Sequence, residues 1–399
     1  MSATPSPSSP PSSPHPAARA LTREQNALRD AVADMMAKRS PESTVRRLMA
    51  DDTGHDPGLW DELATMGLLG LTIPEDFGGV GAGAAELALV SEQMGRALMC
   101  APYLSTAVLT PYLLLALGDT AECAKTLPRI AAGELIATVA FAEADGGAVA
   151  DAVLAHSARP PECPGTIADT DAGRWLLTGD KTYVLDAPSA ELFYVTAQSD
   201  SGVAVFAVER SNPGVSVSPL TTVDQTRKLG RLTLADTPAR LIGEPGAGAR
   251  ATEEALDRAA VALLAEQAGG AMHVTTMASD YARTRYQFAR AIGSFQAVKH
   301  MCVDMLLEAE SALSAARYVA AAFDSGDSER HTDLALAQAY CSDAYVFAAA
   351  TNIQVHGGIG FTWEHPAHLY LRRARTDAQV FGDPAWHRER YVRLREEYR

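Results

Sequence analysis

Tyr281–Met305, YARTRYQFARAIGSFQAVKHMCVDM, and Gln354–Arg373, QVHGGIGFTWEHPAHLYLRR, are the stretches that decide how this chain is read. In the first, Phe295, Val298, Cys302, Met305 and Ala309 recur at three- and four-residue intervals. That spacing predicts an amphipathic helix, entered from a short turn at Ala289–Gly293. Arg283, Arg285 and Arg290 cluster at or before that turn, and Gln296 falls in the first turn of the helix. A guanidinium is permanently charged and binds two oxygens at once, so the cluster suits a pyrophosphate. In the second stretch Gly357, Gly358 and Gly360 remove side chains where a backbone can approach a bulky ligand. Together these features point to a nucleotide-bearing cofactor, although spacing alone more often means a solvated arginine face and a tight glycine turn.

Working outward, 399 residues exceed what a single compact core organises and predict two or three domains. A composition of 47% hydrophobic and 21% charged residues is that of a soluble globular protein. The net charge of -15 argues against a nucleic-acid surface and against anionic membranes. Cys100, Cys123, Cys163, Cys302 and Cys341 form no C-x-x-C pair, which fits buried free thiols in a reducing cytoplasm rather than disulfides or a metal site. No apolar run is long enough to cross a bilayer. Residues 1–20 are a Pro/Ser-rich tail without the apolar core of a secretory signal, and are expected to be disordered.

From residue 21 to 133 apolar residues recur at helical spacing (Leu28, Val32, Met35, Met36; Trp60, Leu63, Ala64, Met66), interrupted by the Pro/Gly loop Ile73–Gly83. Thr22 with Glu24 and Gln25 is a candidate helix cap with an imperfect capping-box register. Residues 134–247 change period. Arg174–Ala187 reads as two strands around a Thr178-Gly179-Asp180 turn, and LFYVTA and VAVFAV read as a hairpin joined by Gln198–Gly202. With GVSVS and KLGRLTL they predict an antiparallel sandwich or barrel. Residues 248–399 are helical again, broken near 324–327 and 357–360. The expected class is α+β: a helical domain, an antiparallel β domain, then a C-terminal four-helix bundle.

The run R-x-Q-F-x-R-x-I-G-S-F-Q-A-V-K-H, followed about fifty residues later by Q-V-H-G-G-I-G-F-T-W-E-H-P, resembles the acyl-CoA dehydrogenase family, and the resemblance extends from about residue 21 to the C-terminus. It implies a tetrameric flavoprotein holding FAD between the β domain and the C-terminal helices, with an acyl-CoA thioester against the flavin. A carboxylate removes the α-proton while the β-hydrogen leaves as hydride. Such a base works in a dry pocket that raises its pKa, and hydrogen bonds to the thioester carbonyl stabilise the enolate. An electron-transfer flavoprotein is the implied acceptor.

Carried over residue by residue, the resemblance splits the site. Arg285, Phe288, Gln296, Gln354, Gly357 and Gly358 match the groups that one subunit lends to its neighbour's FAD. The half facing a subunit's own flavin does not match. The T-E-P-G-A-G-S loop appears as Ala142–Ala148, without hydroxyls at Ala142 and Ala148, and W-I-T-N appears as Tyr183-Val184-Leu185-Asp186. The usual catalytic Glu falls on Phe381, and its alternative location falls on Ala259. Substitute carboxylates stand two residues away, at Asp383 and Asp257. Three readings follow: the base-lacking subunit of a heteromer, resembling bacterial members that lack the Glu; a homomeric enzyme using Asp383; or a non-catalytic acyl-CoA- or partner-binding scaffold. A flavin enzyme of other chemistry, such as an oxidase, is a further alternative.

Overall fold

The computed structural model describes residues 20–143, 166–171 and 174–397. The Pro/Ser-rich tail, Ala144–Ala148 and Cys163 lie outside them, apart from Ala20. Helix α1 (Arg23–Arg39) starts at Thr22, whose hydroxyl accepts the Gln25 N–H at 3.1 Å while the Gln25 carboxamide accepts the Thr22 N–H at 3.0 Å. This closed box corrects the imperfect register expected there: Gln25 itself is the third helical residue. After α2 (Glu42–Met49) and α3 (Pro57–Thr65), the Ile73–Gly83 loop carries one 3-10 turn at Glu75–Phe77. Then come α4 (Ala84–Arg96), a π-helical segment at Tyr103–Leu109, α5 (Thr110–Leu117) and α6 (Thr120–Ala131).

Seven strands follow: β1 (Ala137–Ala140), β2 (Ile167–Asp171), β3 (Arg174–Leu185), β4 (Leu192–Ser199), β5 (Gly202–Glu209), β6 (Val215–Pro219) and β7 (Leu229–Ile242). β4 pairs with β2 and β5, β2 with β3, and β7 joins β3 to β5, so the sheet closes on itself as a barrel. Two expectations are corrected here. The sheet is not wholly antiparallel, because β1 and β2 both run parallel to β4. Residues 174–185 form one strand rather than two. Thr178-Gly179-Asp180 is a bulge within it, where Gly179 has φ +145° and a side chain would come within 2.7 Å of Thr166 Cα. A turn and a bulge draw on the same permissive residue, and pairing with β7 selects the bulge.

The C-terminal domain is built on α7 (Gly248–Thr284), a 37-residue helix, packed with α8 (Gln296–Ser325), α9 (Arg330–His356), α10 (Ala367–Asp377) and α11 (Pro384–Glu397). Helices α4 and α7 touch backbone to backbone. A Cβ on Gly95 would lie 2.1 Å from the Glu266 carbonyl oxygen, and one on Gly269 would lie 2.0 Å from that of Glu92. This reciprocal glycine contact locks the N-terminal helices onto the bundle. One apolar cluster runs from α1 through α5 and the barrel to the first turns of α7, so the three domains share a core where they meet.

Candidate active site

Two edges of the molecule carry the predicted site residues. At the first, α7 ends at Thr284 and a short hairpin (β8, Tyr286–Gln287; β9, Arg290–Ala291) leads through Ile292–Ser294 into α8. The hairpin's central residues, Phe288 and Ala289, both have positive φ (+53° and +61°), as a tight two-residue hairpin demands. Neither is glycine, so each carries local strain of order 1 kcal/mol, and the result is a Phe288 ring 86% exposed. Tyr281 stacks on His356 at 4.2 Å between ring centroids, joining the end of α7 to the end of α9. Arg285 and the Gln354–Gly358 turn are thereby brought to the same end of the bundle. A Cβ at Gly357 or Gly358 would meet nothing within 4 Å. Among the described residues, the side chains of Arg285, Gln296 and Gln354 are exposed and have no hydrogen-bond or ion-pair partner. An unpaired guanidinium, free carboxamides, a bare ring and an uncovered glycine backbone suit a dinucleotide presented from outside this chain's core.

The other edge has been turned to structural use. Ala142 is buried and its carbonyl accepts the Thr182 N–H at 2.9 Å; Glu143 forms an ion pair with the buried Lys181 and accepts the Thr166 N–H at 3.2 Å. Tyr183 and Asp186 have φ +50° and +52°, while Val184 and Leu185 between them are buried. Asp186 accepts the Ser105 hydroxyl at 2.6 Å, and burial pushes its carboxyl up to about 6. A raised carboxyl pKa means the ionised form costs stability in the fold above that value and costs nothing once both states are protonated. Asp186→Asn keeps the hydrogen bond and tolerates positive φ. Its expected effect is a gain of order 1–3 kcal/mol at pH 8, shrinking as pH falls through about 6 towards 4, read from urea midpoints across that range.

At the position matched to the usual base, Phe381 has φ +63° and its half-buried ring packs against the apolar core. Ala259, at the alternative position, is completely buried in α7. Asp383 caps α11, its carboxylate accepting the Trp386 N–H at 2.8 Å. Asp257 is buried between two partners: Arg390 grips both carboxylate oxygens at 2.7 and 2.6 Å, and His331 Nδ1 lies 2.7 Å away. Burial raises its pKa, but Arg390 and His331 outweigh burial and hold the carboxyl below its ordinary value. A carboxylate so held is a poor proton acceptor.

Where the three domains meet, the structure contains a cluster that the sequence reading missed. Arg373 Nε donates to Asp224 at 3.0 Å and to Thr226 at 2.9 Å, and its Nη1 forms an ion pair with Glu266. Arg227 reaches the same Glu266 oxygen at 2.6 Å and Asp377 at 3.2 Å. Burial raises the Asp377 carboxyl to about 7. Thr226, Arg227, Glu266 and Arg373, with Met99, Tyr103 and Leu104, line a cavity of about 20 Å³, room for a water and too small for an acyl group. The available signal was Glu266 itself, a lone charge in the apolar run Val261–Ala271.

Helical, barrel and bundle domains in this order, with the paired hairpin and glycine turn at one end of the bundle, define a flavoprotein-dehydrogenase architecture. The chain belongs to the acyl-CoA dehydrogenase family: its N-terminal, middle and C-terminal domain models match residues 22–134, 139–237 and 246–393. It is 33% identical to the acyl-CoA dehydrogenase IpdE2 of Mycobacterium tuberculosis over 90% of this chain and 94% of that one. Its identity to IpdE2 of Mycolicibacterium smegmatis is 31%, over 94% and 99%. Among solved structures it resembles the ChsE4–ChsE5 complex from Mycobacterium tuberculosis, with TM-score 0.83 and 28% identity over 95% of this chain and 98% of that one. It also resembles a Tcur3481–Tcur3483 steroid acyl-CoA dehydrogenase, with TM-score 0.81 and 28% identity over 94% and 98%. Among the described residues, no helix is long and apolar enough to cross a membrane, and no cluster of His, Cys, Asp or Glu could hold a metal. Cys100, Cys123 and Cys341 are buried free thiols, and Cys302 is half-buried and free.

Proposed function

We propose that this chain is the base-lacking subunit of a heteromeric, FAD-dependent acyl-CoA dehydrogenase that introduces an α,β double bond into an acyl-CoA thioester of lipid or steroid type. One asymmetry carries the reading. Arg285, Phe288, Gln296, Gln354, Gly357 and Gly358 stand exposed and unoccupied by the chain's own structure. Phe381, at the position matched to the usual base, packs on the apolar core, and the Arg227–Glu266–Arg373 cluster occupies the three-domain junction. The flavin, when bound, supplies the hydride-accepting chemistry; this chain's task is to hold the dinucleotide tail of a flavin seated in a related, base-bearing subunit. That subunit contributes the carboxylate, and an electron-transfer flavoprotein is the electron acceptor. Likeness to the ChsE4–ChsE5 complex, which has two named components, supports a two-subunit assembly.

The test is expression alone and together with a base-bearing homologue. Alone, the chain is expected to purify nearly colourless and inactive. Co-purified, the pair is expected to carry fewer flavins than subunits and to oxidise acyl-CoA. A stoichiometrically yellow, active homomer of this chain would overturn the proposal.

A further inference from the structure

A cleft of about 440 Å³ lies between α1, the start of α2, the end of α4, α7 and α10. That volume is within the range of roughly 300–1,000 Å³ typical of small-molecule sites. The cleft shares no lining residue with the three-domain junction. Met36, Val45, Leu98, Met277 and Leu369 make its walls apolar. Its polar groups are few and biased in charge. Arg96, the last residue of α4, lines it and has no side-chain hydrogen-bond or ion-pair partner among the described residues. His273 lies flat against Tyr370, 4.9 Å between centroids and 21° between planes, with no hydrogen bond to either ring nitrogen. Burial and the neighbouring Arg96 charge push His273 down to about 4, so at neutral pH it is an uncharged imidazole with an N–H to donate. Glu42 is the one acid among the lining residues, and Arg46 already binds its carboxylate at 2.7 Å. The cleft therefore presents one uncompensated positive charge and a neutral donor above an apolar floor.

We propose that this cleft binds a small amphipathic carboxylate, its hydrocarbon body along Met36, Val45 and Met277 and its head group on Arg96 and His273. A free acid fits this charge pattern and an uncharged ester or alcohol of the same length does not, because neither carries a charge to meet Arg96. The site is independent of the heteromer reading: it uses none of the flavin-holding residues.

The probe is decanoate, titrated calorimetrically into the full chain, alone and in the co-expressed assembly, with decanol and decyltrimethylammonium as controls of equal chain length. Saturable binding at one site per chain is expected in both preparations, at least about tenfold tighter for decanoate than for decanol, with no binding of the cation. Arg96→Gln should weaken decanoate about tenfold or more and leave decanol unchanged. Ala37→Phe, which fills the cleft from α1, should abolish binding of both while the thermal midpoint stays near that of the parent. Equal affinity for decanoate and decanol, or decanoate binding indifferent to both substitutions, would overturn the proposal. So would binding that disappears on assembly, since the cleft would then belong to a subunit interface.

Discussion

In the assembled enzyme, Arg285→Ala is expected to weaken flavin retention about 10- to 100-fold, whereas Asp383→Asn is expected to leave turnover within about twofold. The first figure follows from the value of a charge-assisted hydrogen bond, roughly 1.5–3 kcal/mol, lost from a guanidinium with no other partner. Arg285→Lys should recover part of the affinity, because a point charge persists while the two-oxygen fork does not. Flavin fluorescence during titration of the apo assembly measures both variants. The second figure follows from what Asp383 does in the fold. Its carboxylate accepts the Trp386 N–H at the start of α11, and Asn is an equally good helix cap. Asp383→Asn therefore removes a proton acceptor without removing the cap, a separation that Asp383→Ala does not achieve. Loss of a general base costs on the order of 10²–10⁴ in rate. A fall of that size in Asp383→Asn, with the thermal midpoint unchanged, would return the base to this chain and remove the half-site reading.

Asp257→Ala should destabilise the chain by about 3 kcal/mol, because the buried Arg390 guanidinium loses its two-oxygen partner and keeps only Glu253, at 3.7 Å. Arg390→Met alone should cost a similar amount, because it leaves the buried Asp257 carboxylate with His331 as its one remaining partner. The double variant Asp257→Leu/Arg390→Met should recover most of the loss, since two apolar groups of matching size need no partner. Thermal and urea midpoints of the parent, Asp257→Leu, Arg390→Met and the double variant complete the cycle. A catalytic carboxylate predicts the reverse pattern for Asp257→Ala: stability retained, turnover lost, and no rescue by the second substitution.

The missed features and the correct ones differ in the range of the interactions that made them. Thr22 and Gln25 cap α1 through groups three residues apart, and Leu28, Val32, Met35 and Met36 mark its inward face by spacing alone. Local chemistry of that kind is readable residue by residue. The Thr178-Gly179-Asp180 bulge looks like a turn in sequence because glycine permits a turn and a bulge equally, and only β7, about fifty residues further on, chooses between them. The Arg373–Asp224 bond joins residues 149 positions apart, and the Arg227–Asp377 pair spans 150. In sequence each of these side chains resembles an ordinary solvated charge, and nothing short of the folded chain distinguishes a buried cluster from a surface one.

The sequence by itself determined the family and the order of helical, β and helical domains, and its motifs carry the proposal that Arg285, Gln296 and Gln354 serve a neighbour's dinucleotide. These depend on residue identity at fixed spacing, and spacing survives without coordinates. Only the tertiary structure decided that Asp257 is locked by Arg390, that Asp383 is a helix cap, and that ion pairs fill the three-domain junction while an apolar cleft stands open beside Arg96. A charge takes its meaning from what lies within a few ångströms of it, and the chain assigns those neighbours only by folding.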